Sequence, residues 1–264
     1  MYRRPPRHRI LGLPVDALGM EPCVELVAAA IRDDRRCRVM VNNANKSWLA
    51  ARDERLREVL EEAELVIPEF ATVWAAGVLG LPGVEFVSGI LLMRRLLLEA
   101  VRRSWSCFFL GARAEVVDAL VARLSREQPT LRIVGWHDGY LEEAESEKVR
   151  EQLRSLRPDL LFVAMGSPRQ EHWMAQLPEG SARVSVGVGG SFDVLAGLRR
   201  DTPRWMRGNG LEWIFRVSQD PRHYARRYLT VNPWFVVNVL KEKILGRVPL
   251  GMLNGGVRRV EAEP

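Results

Sequence analysis

Residues 183–197 read RVSVGVGGSFDVLAG. A β-branched apolar run, Val184 to Val188, meets the pair Gly189-Gly190, and a helix start follows. Two glycines after a buried strand let a ligand approach the backbone. The helix behind them aims N–H groups and its positive end at an anion. Asp193 falls in the first turn of that helix, where an acid either bonds a sugar or ribose hydroxyl or caps the helix.

Working outward, the same strand–turn–helix sentence recurs. DLLFVAMGSPRQ (159–170) is a strand opening into a Gly-Ser-Pro turn, and SCFFLGA (106–112) is an apolar run closing on Gly111. LRIVGWHDGY (131–140) is a strand followed by a polar turn, and RVMVNN (38–43) is a short β-branched run ending in amides. ELVIPE (64–69) reads as one more strand with an acid, Glu69, at its tip. Between them lie helix-like segments, including AEVVDALVARLSREQ, ESEKVREQLRSLRP and a single helix over 47–63. Strand–helix alternation with β-branched strands predicts an α/β, Rossmann-like fold: a largely parallel sheet flanked by helices. Ligands of such sheets sit at the carboxyl ends of the strands. The polar clusters fall there: Asn42 and Asn43, Glu69, Gly111, His137 to Tyr140, Gly166 to Glu171, and Gly189 to Asp193.

The rhythm stops near residue 200. From Arg199 to Tyr228 there are eight arginines and three acids, interleaved with aromatics. This reads as a helical appendage. Arg222 and Arg226, and likewise Tyr224 and Tyr228, are four apart and share a helix face. Arginine with Trp and Tyr is what an interfacial helix carries. The expected organisation is a basic N-terminal tail (1–15), an α/β core (16–199), the appendage (200–246) and a flexible tail (247–264).

Composition bounds the function. With 264 residues and 47% hydrophobic composition the chain builds a sizeable core. No apolar run reaches the roughly 18 to 20 residues of a spanning helix, and the basic start, MYRRPPRHRI, lacks a signal peptide's apolar stretch. Three scattered cysteines fit a reducing compartment. The net charge of +6 comes largely from arginine, with only four lysines. It permits phosphate, nucleic-acid or anionic-membrane partners. No DxD pair, CxxC or His pair at i, i+4 suggests a metal site, so charge on a leaving phosphate falls to arginines, backbone N–H groups or a helix end.

HDGY (137–140), GSPRQE (166–171), GVGGSFDVLAG (187–197), RDTPRWMRGNGLEWIFR (200–216) and DPRHYARRYL (220–229) stand in an order and spacing that resembles the WecG/TagA/CpsF glycosyltransferases, from about Asp16 to Phe235. The resemblance implies an inverting, metal-independent enzyme with no cofactor. It would move a sugar, N-acetylmannosamine or a related hexose, from a UDP-sugar to a polyprenyl-diphosphate-linked saccharide. It also implies work in cell-surface polysaccharide synthesis, cytoplasmic and peripheral on the inner face of the membrane, with homo-oligomers known among members and no nucleic-acid partner. Carried over by position, Glu69 is the general base, with Asn43 and Gln170 orienting the sugar or the attacking hydroxyl. Gly111, Asp138, Gly139, Gly166, Glu171, Gly189, Gly190, Phe192 and Asp193 bind the donor. Arg204, Arg216, Arg222, Arg226 and Arg227 grip the lipid diphosphate and the membrane, since the guanidinium fork binds phosphate oxygens in pairs.

The departures lie in the N-terminal half. The family's Thr-x-Asn is Val41-Asn42-Asn43 here, its Pro-Asp-Gly is Pro68-Glu69-Phe70, and the Arg and Asp of Arg-Val-x-Gly-Ala-Asp are Phe86 and Leu91. A non-catalytic nucleotide-sugar-binding relative is therefore the alternative. A basic nucleic-acid-binding module is a more distant one, carried only by the charge.

Overall fold

The computed structural model describes residues 4–206 and 211–246. Six parallel strands form the central sheet: β3 (Cys37–Asn42), β4 (Leu65–Pro68), β5 (Ser106–Gly111), β6 (Arg132–His137), β7 (Leu160–Ala164) and β8 (Val184–Gly187). Their order is β4-β3-β8-β7-β5-β6, with every pair in parallel register. The expected fold class is the observed one.

The strands are apolar on both faces because both faces are covered. On one face Val39, Val41, Phe109, Phe162, Val184 and Val186 pack against α1 (Met20–Arg32), α5 (Gly89–Arg103), α6 (Ala114–Glu127) and α9 (Ser191–Leu195). On the other, Met40, Val66, Phe108, Leu110, Leu161 and Val163 meet α2 (Ala44–Ala50), α3 (Glu54–Glu62), α7 (Glu143–Leu156) and α8 (Arg169–Ala175). Neighbouring strand residues divide between the two cores, as the two-residue side-chain period requires. Cys23, Cys37 and Cys107 are free and buried; burial pushes the Cys23 thiol up to about 12 and raises the other two further.

Two sequence expectations are corrected. Residues 47–63 are not one helix: Asp53 accepts from the Leu56 N–H and starts α3 afresh after α2. A capping acid in mid-segment offers the backbone a new start.

The basic N-terminus is not a tail either. Arg7–Ile10 (β1) pairs antiparallel with Leu13–Asp16 (β2). Asp16, with no exposed surface, receives Arg7 Nε at 2.7 Å and the Val66 N–H at 2.7 Å. Arg7 also donates to the Ala63 carbonyl. A charge pattern cannot reveal this, since the arginine reads as solvated until its partner is placed.

The helical appendage packs on the core. Its long helix, α11 (Pro221–Leu245), buries Val231, Phe235 and Val239 against Ile10, Leu11 and Val15 of the hairpin and Ala75 and Ala76 of α4 (Phe70–Leu79). Glu242 of α11 accepts from the Leu11 N–H at 2.8 Å. The boundaries drawn at 15/16 and 199/200 thus cut through segments that pack together.

Replacing Asp16 by Ala strands the Arg7 guanidinium and the Val66 N–H together. The Asp16→Ala chain is expected to lose about 3 kcal/mol of stability. Urea unfolding followed by circular dichroism measures this; an unchanged midpoint would show that the hairpin is not tied to the sheet.

Candidate active site

Four adjacent strands, β4, β3, β8 and β7, deliver their carboxyl ends to one cavity of about 540 Å³. Its wall includes Asn43, Lys46, Glu69, Gly166, Gln170 and the run Gly187 to Ser191. Beyond the sheet, Arg199, Arg200, Trp213 of α10 (Glu212–Gln219) and Tyr228 of α11 close one side. Gln219 holds that side in place by bonding both the N–H and the carbonyl of Arg200.

The acid at the tip of β4 is built in from below. Glu69 occupies the N-cap position of α4, so its carboxylate lies at the positive end of a ten-residue helix. Its own N–H donates to the Asn42 carbonyl, which also accepts from Thr72 Oγ1 at 2.8 Å. Asn43 Nδ2 donates to Glu69 Oε2 at 2.8 Å, while Asn43 Oδ1 accepts from the Lys46 N–H and caps α2. A carboxylate only accepts, so the amide of Asn43 has one possible orientation. This leaves Glu69 half-buried and fixed through one oxygen.

The opposite wall is the glycine turn after β8. Gly189 has φ +52, and a Cβ built on either Gly189 or Gly190 meets nothing within 4 Å. The missing side chains leave room at the cavity. Gly166, also in the wall, has φ +75 and the same clear space. Gln170 is nearly fully buried yet reaches the cavity, and its Oε1 accepts from the Gly189 N–H at 3.2 Å.

The remaining sequence candidates are placed differently. Gly111 is a glycine because a Cβ would lie 2.5 Å from the Ala164 backbone, and Gly139 because a Cβ would lie 2.9 Å from the Gly111 Cα. These two serve contact between strand ends. Asp138 folds back to accept from the Tyr140 N–H, an Asx turn. Neither Gly111 nor Asp138 lines the large cavity; Gly139 lines a second hollow of about 210 Å³ with Arg150, Arg169 and His172. Phe192 is a core residue: it has no exposed surface and packs edge-on against Phe109 at 6.0 Å. Asp193 is in the first turn of α9, half-buried. Glu171, also without exposed surface, sits one layer behind Gln170. The side chains of Arg204, Arg216, Arg222, Arg226 and Arg227 lie outside the described residues.

Sequence reasoning missed Lys46. A lysine in the first turn of a short amphipathic helix reads as solvated, yet this one is 2% exposed with Nζ 2.8 Å from Glu171 Oε1. Only the pairing of β3 with β8 and β8 with β7 brings the two residues together.

A cavity above the carboxyl ends of parallel strands, with an acid on one wall and an open glycine turn on the other, is where α/β enzymes of this architecture bind their ligands. The profile of the Glycosyl transferase WecG/TagA/CpsF family matches residues 8–248, and the chain belongs to that family. It is a glycosyltransferase. It is 28% identical over 214 residues to the N-acetylglucosaminyldiphosphoundecaprenol N-acetyl-beta-D-mannosaminyltransferase of Bacillus subtilis (strain 168), covering 80% of this chain and 82% of that protein. The proteins of the same description from Bacillus spizizenii and Staphylococcus aureus (strain MW2) are each 30% identical. The first match covers 78% of this chain and 79% of that protein, the second 89% and 92%.

The geometry separates a structural role from a chemical one. Asn43→Ala removes the cap of α2 and is expected to lower stability by about 1 kcal/mol. Glu69→Gln still accepts from Asn43 and is expected to stay within about 0.5 kcal/mol of the parent. Denaturant titration of both variants checks the contrast; a Glu69→Gln chain that unfolds more readily than Asn43→Ala would make Glu69 chiefly structural.

Proposed function

We propose that this protein transfers a hexosyl group, N-acetylmannosamine or a close relative, from a UDP-sugar to a polyprenyl-diphosphate-linked saccharide. The names of the relatives support this acceptor class and this sugar. The observation that carries the reading is Glu69: a carboxylate in the cavity wall, aimed by Asn43 and facing the space above the Gly189-Gly190 turn.

The sugar-linked diphosphate sits at the glycine turn, where the absent side chains leave room and Arg199 and Arg200 supply cations. The acceptor hydroxyl gives its proton to Glu69 as its oxygen bonds to the anomeric carbon. The carbon–oxygen bond to the diphosphate breaks on the opposite face, and UDP leaves with the electron pair. The anomeric centre is inverted, and the proton on Glu69 passes to solvent. No cofactor takes part beyond the donor itself.

Glu is one methylene longer than the family's Asp. Phe70 and Phe86, where the family has Gly and Arg, both line the cavity. An altered acceptor pocket accommodates the longer acid. The same replacements support the second reading, a relative that binds the nucleotide sugar without transferring it. Release of UDP on addition of acceptor distinguishes the two.

The protein works at the inner face of the cytoplasmic membrane in this reading. No helix among the described residues is long and apolar enough to cross a membrane. Opposite its buried face, however, α11 exposes Val237, Leu240 and Ile244, the last 79% exposed. Apolar side chains beside an arginine-rich segment suit an interfacial helix.

Two outcomes are expected. Glu69→Gln, folded, should lose about 10²- to 10⁴-fold in transfer rate; UDP release at the parent rate would remove Glu69 from the role of base. Leu240→Asp combined with Ile244→Asp should abolish co-sedimentation with phosphatidylglycerol vesicles while leaving the thermal midpoint in place. Undiminished sedimentation would remove the membrane assignment from this face.

A further inference from the structure

Lys46 sits at an unfavourable place for a lysine. It lies in the first turn of α2, near the positive helix end, and is 2% exposed. Its partner, Glu171, has no exposed surface at all. A buried ion pair is a weak source of stability, because desolvation offsets the attraction. Its value here lies in what each partner touches.

Glu171 Oε1 accepts from Lys46 Nζ at 2.8 Å, from Gln170 Nε2 at 2.7 Å and from Ser167 Oγ at 3.2 Å. An ionised carboxylate accepts and never donates, so Gln170 must present its NH₂ group to Glu171. The carbonyl oxygen of Gln170 faces the Gly189 N–H, a donor that requires the same orientation. The absent side chain of Gly187 leaves the amide its place, since a Cβ there would lie 2.9 Å from Gln170 Nε2. From its other end, Lys46 donates its backbone N–H to Asn43 Oδ1, and Asn43 in turn holds Glu69.

We propose that Lys46 is a positioning residue: by pairing with the Glu171 carboxylate it holds in place the acceptor of the Gln170 NH₂ group, and so links the Asn43–Glu69 wall to the Gly189 turn. The chain of contacts is continuous: Glu69, Asn43, Lys46, Glu171, Gln170, Gly189. The inference rests on the proposed reading of the cavity for its effect on rate, and on geometry alone for its effect on the turn.

The test compares the full-length parent with Lys46→Met and with the double variant Lys46→Met/Glu171→Gln. Lys46→Met leaves a buried carboxylate without its cation, so its melting point should fall. The double variant has no buried charge and should regain that stability. A carboxamide at position 171, however, both accepts and donates, so it holds the Gln170 NH₂ group less firmly and leaves the Gly189 N–H as the main constraint on the amide. Hydrogen exchange in the peptide spanning residues 187–192 should therefore run about tenfold faster than in the parent for both variants. For both, kcat should fall about 10- to 100-fold, with the donor KM within about threefold.

If the double variant regains parental exchange at 187–192 together with its stability, Lys46 is a structural partner only and the inference fails. The exchange readout needs no turnover. A parent that releases no UDP overturns the proposed reaction, while the exchange result still decides the role of Lys46.

Discussion

The end of β3 holds most of the site together. The Asn42 carbonyl takes two hydrogen bonds, from the Glu69 N–H and from Thr72 Oγ1, and so fixes the tip of β4 and the first turn of α4. Asn42 Nδ2 reaches the other way, to the Pro14 carbonyl at 3.0 Å, and secures the N-terminal hairpin. Asn43 caps α2 and holds the acid. Two successive amides thus tie a hairpin, two helices and a carboxylate to one strand end. Side-chain amides suit this because each carries both donors and an acceptor. A valine at either place would leave its partner without that bond.

From that anchor the rest of the architecture follows in layers. The hairpin anchored by Asn42 and Asp16 offers Ile10, Leu11 and Val15 to α11, and Trp48 of α2 packs edge-on against Trp234 at 5.2 Å. The long helix therefore has one face committed to the core and one left apolar and exposed. The appendage is continuous with the core through this face, while α10 closes over the cavity from its other end. In the proposed reaction, a lipid-linked acceptor brought in by the exposed face would arrive beside the wall that carries Glu69.

The buried Lys46–Glu171 pair shows how a site can spend folding energy on orientation. An apolar pair of similar volume would pack at less cost. What it would not do is accept a hydrogen bond from the NH₂ end of the Gln170 amide. Lone cations and anions inside a protein are expensive, and they are retained where geometry depends on the sign of the charge.

The fold was legible in the sequence because it is written in local periodicity. Strand runs such as Val184–Gly187, the Pro and Gly stops and the amphipathic helices each state themselves within a dozen residues. The strand-end rule then placed Asn43, Glu69, Gln170, Gly189 and Gly190 near one another, and all five line the cavity. It did not separate these from Gly111, Asp138 and Phe192. Which strand ends share a cavity depends on strand order, β4-β3-β8-β7 on one side and β5-β6 on the other. That order is set by packing between segments far apart in the chain. Lys46 was invisible for the same reason: its burial exists only once α8, some 120 residues later, lies beside α2. The sequence alone therefore determined the class of fold, the family and the acid at the strand tip. The tertiary structure decided which polar residues face the cavity, which glycines serve backbone contact and which charges are buried, because those properties belong to pairs of residues and not to single ones.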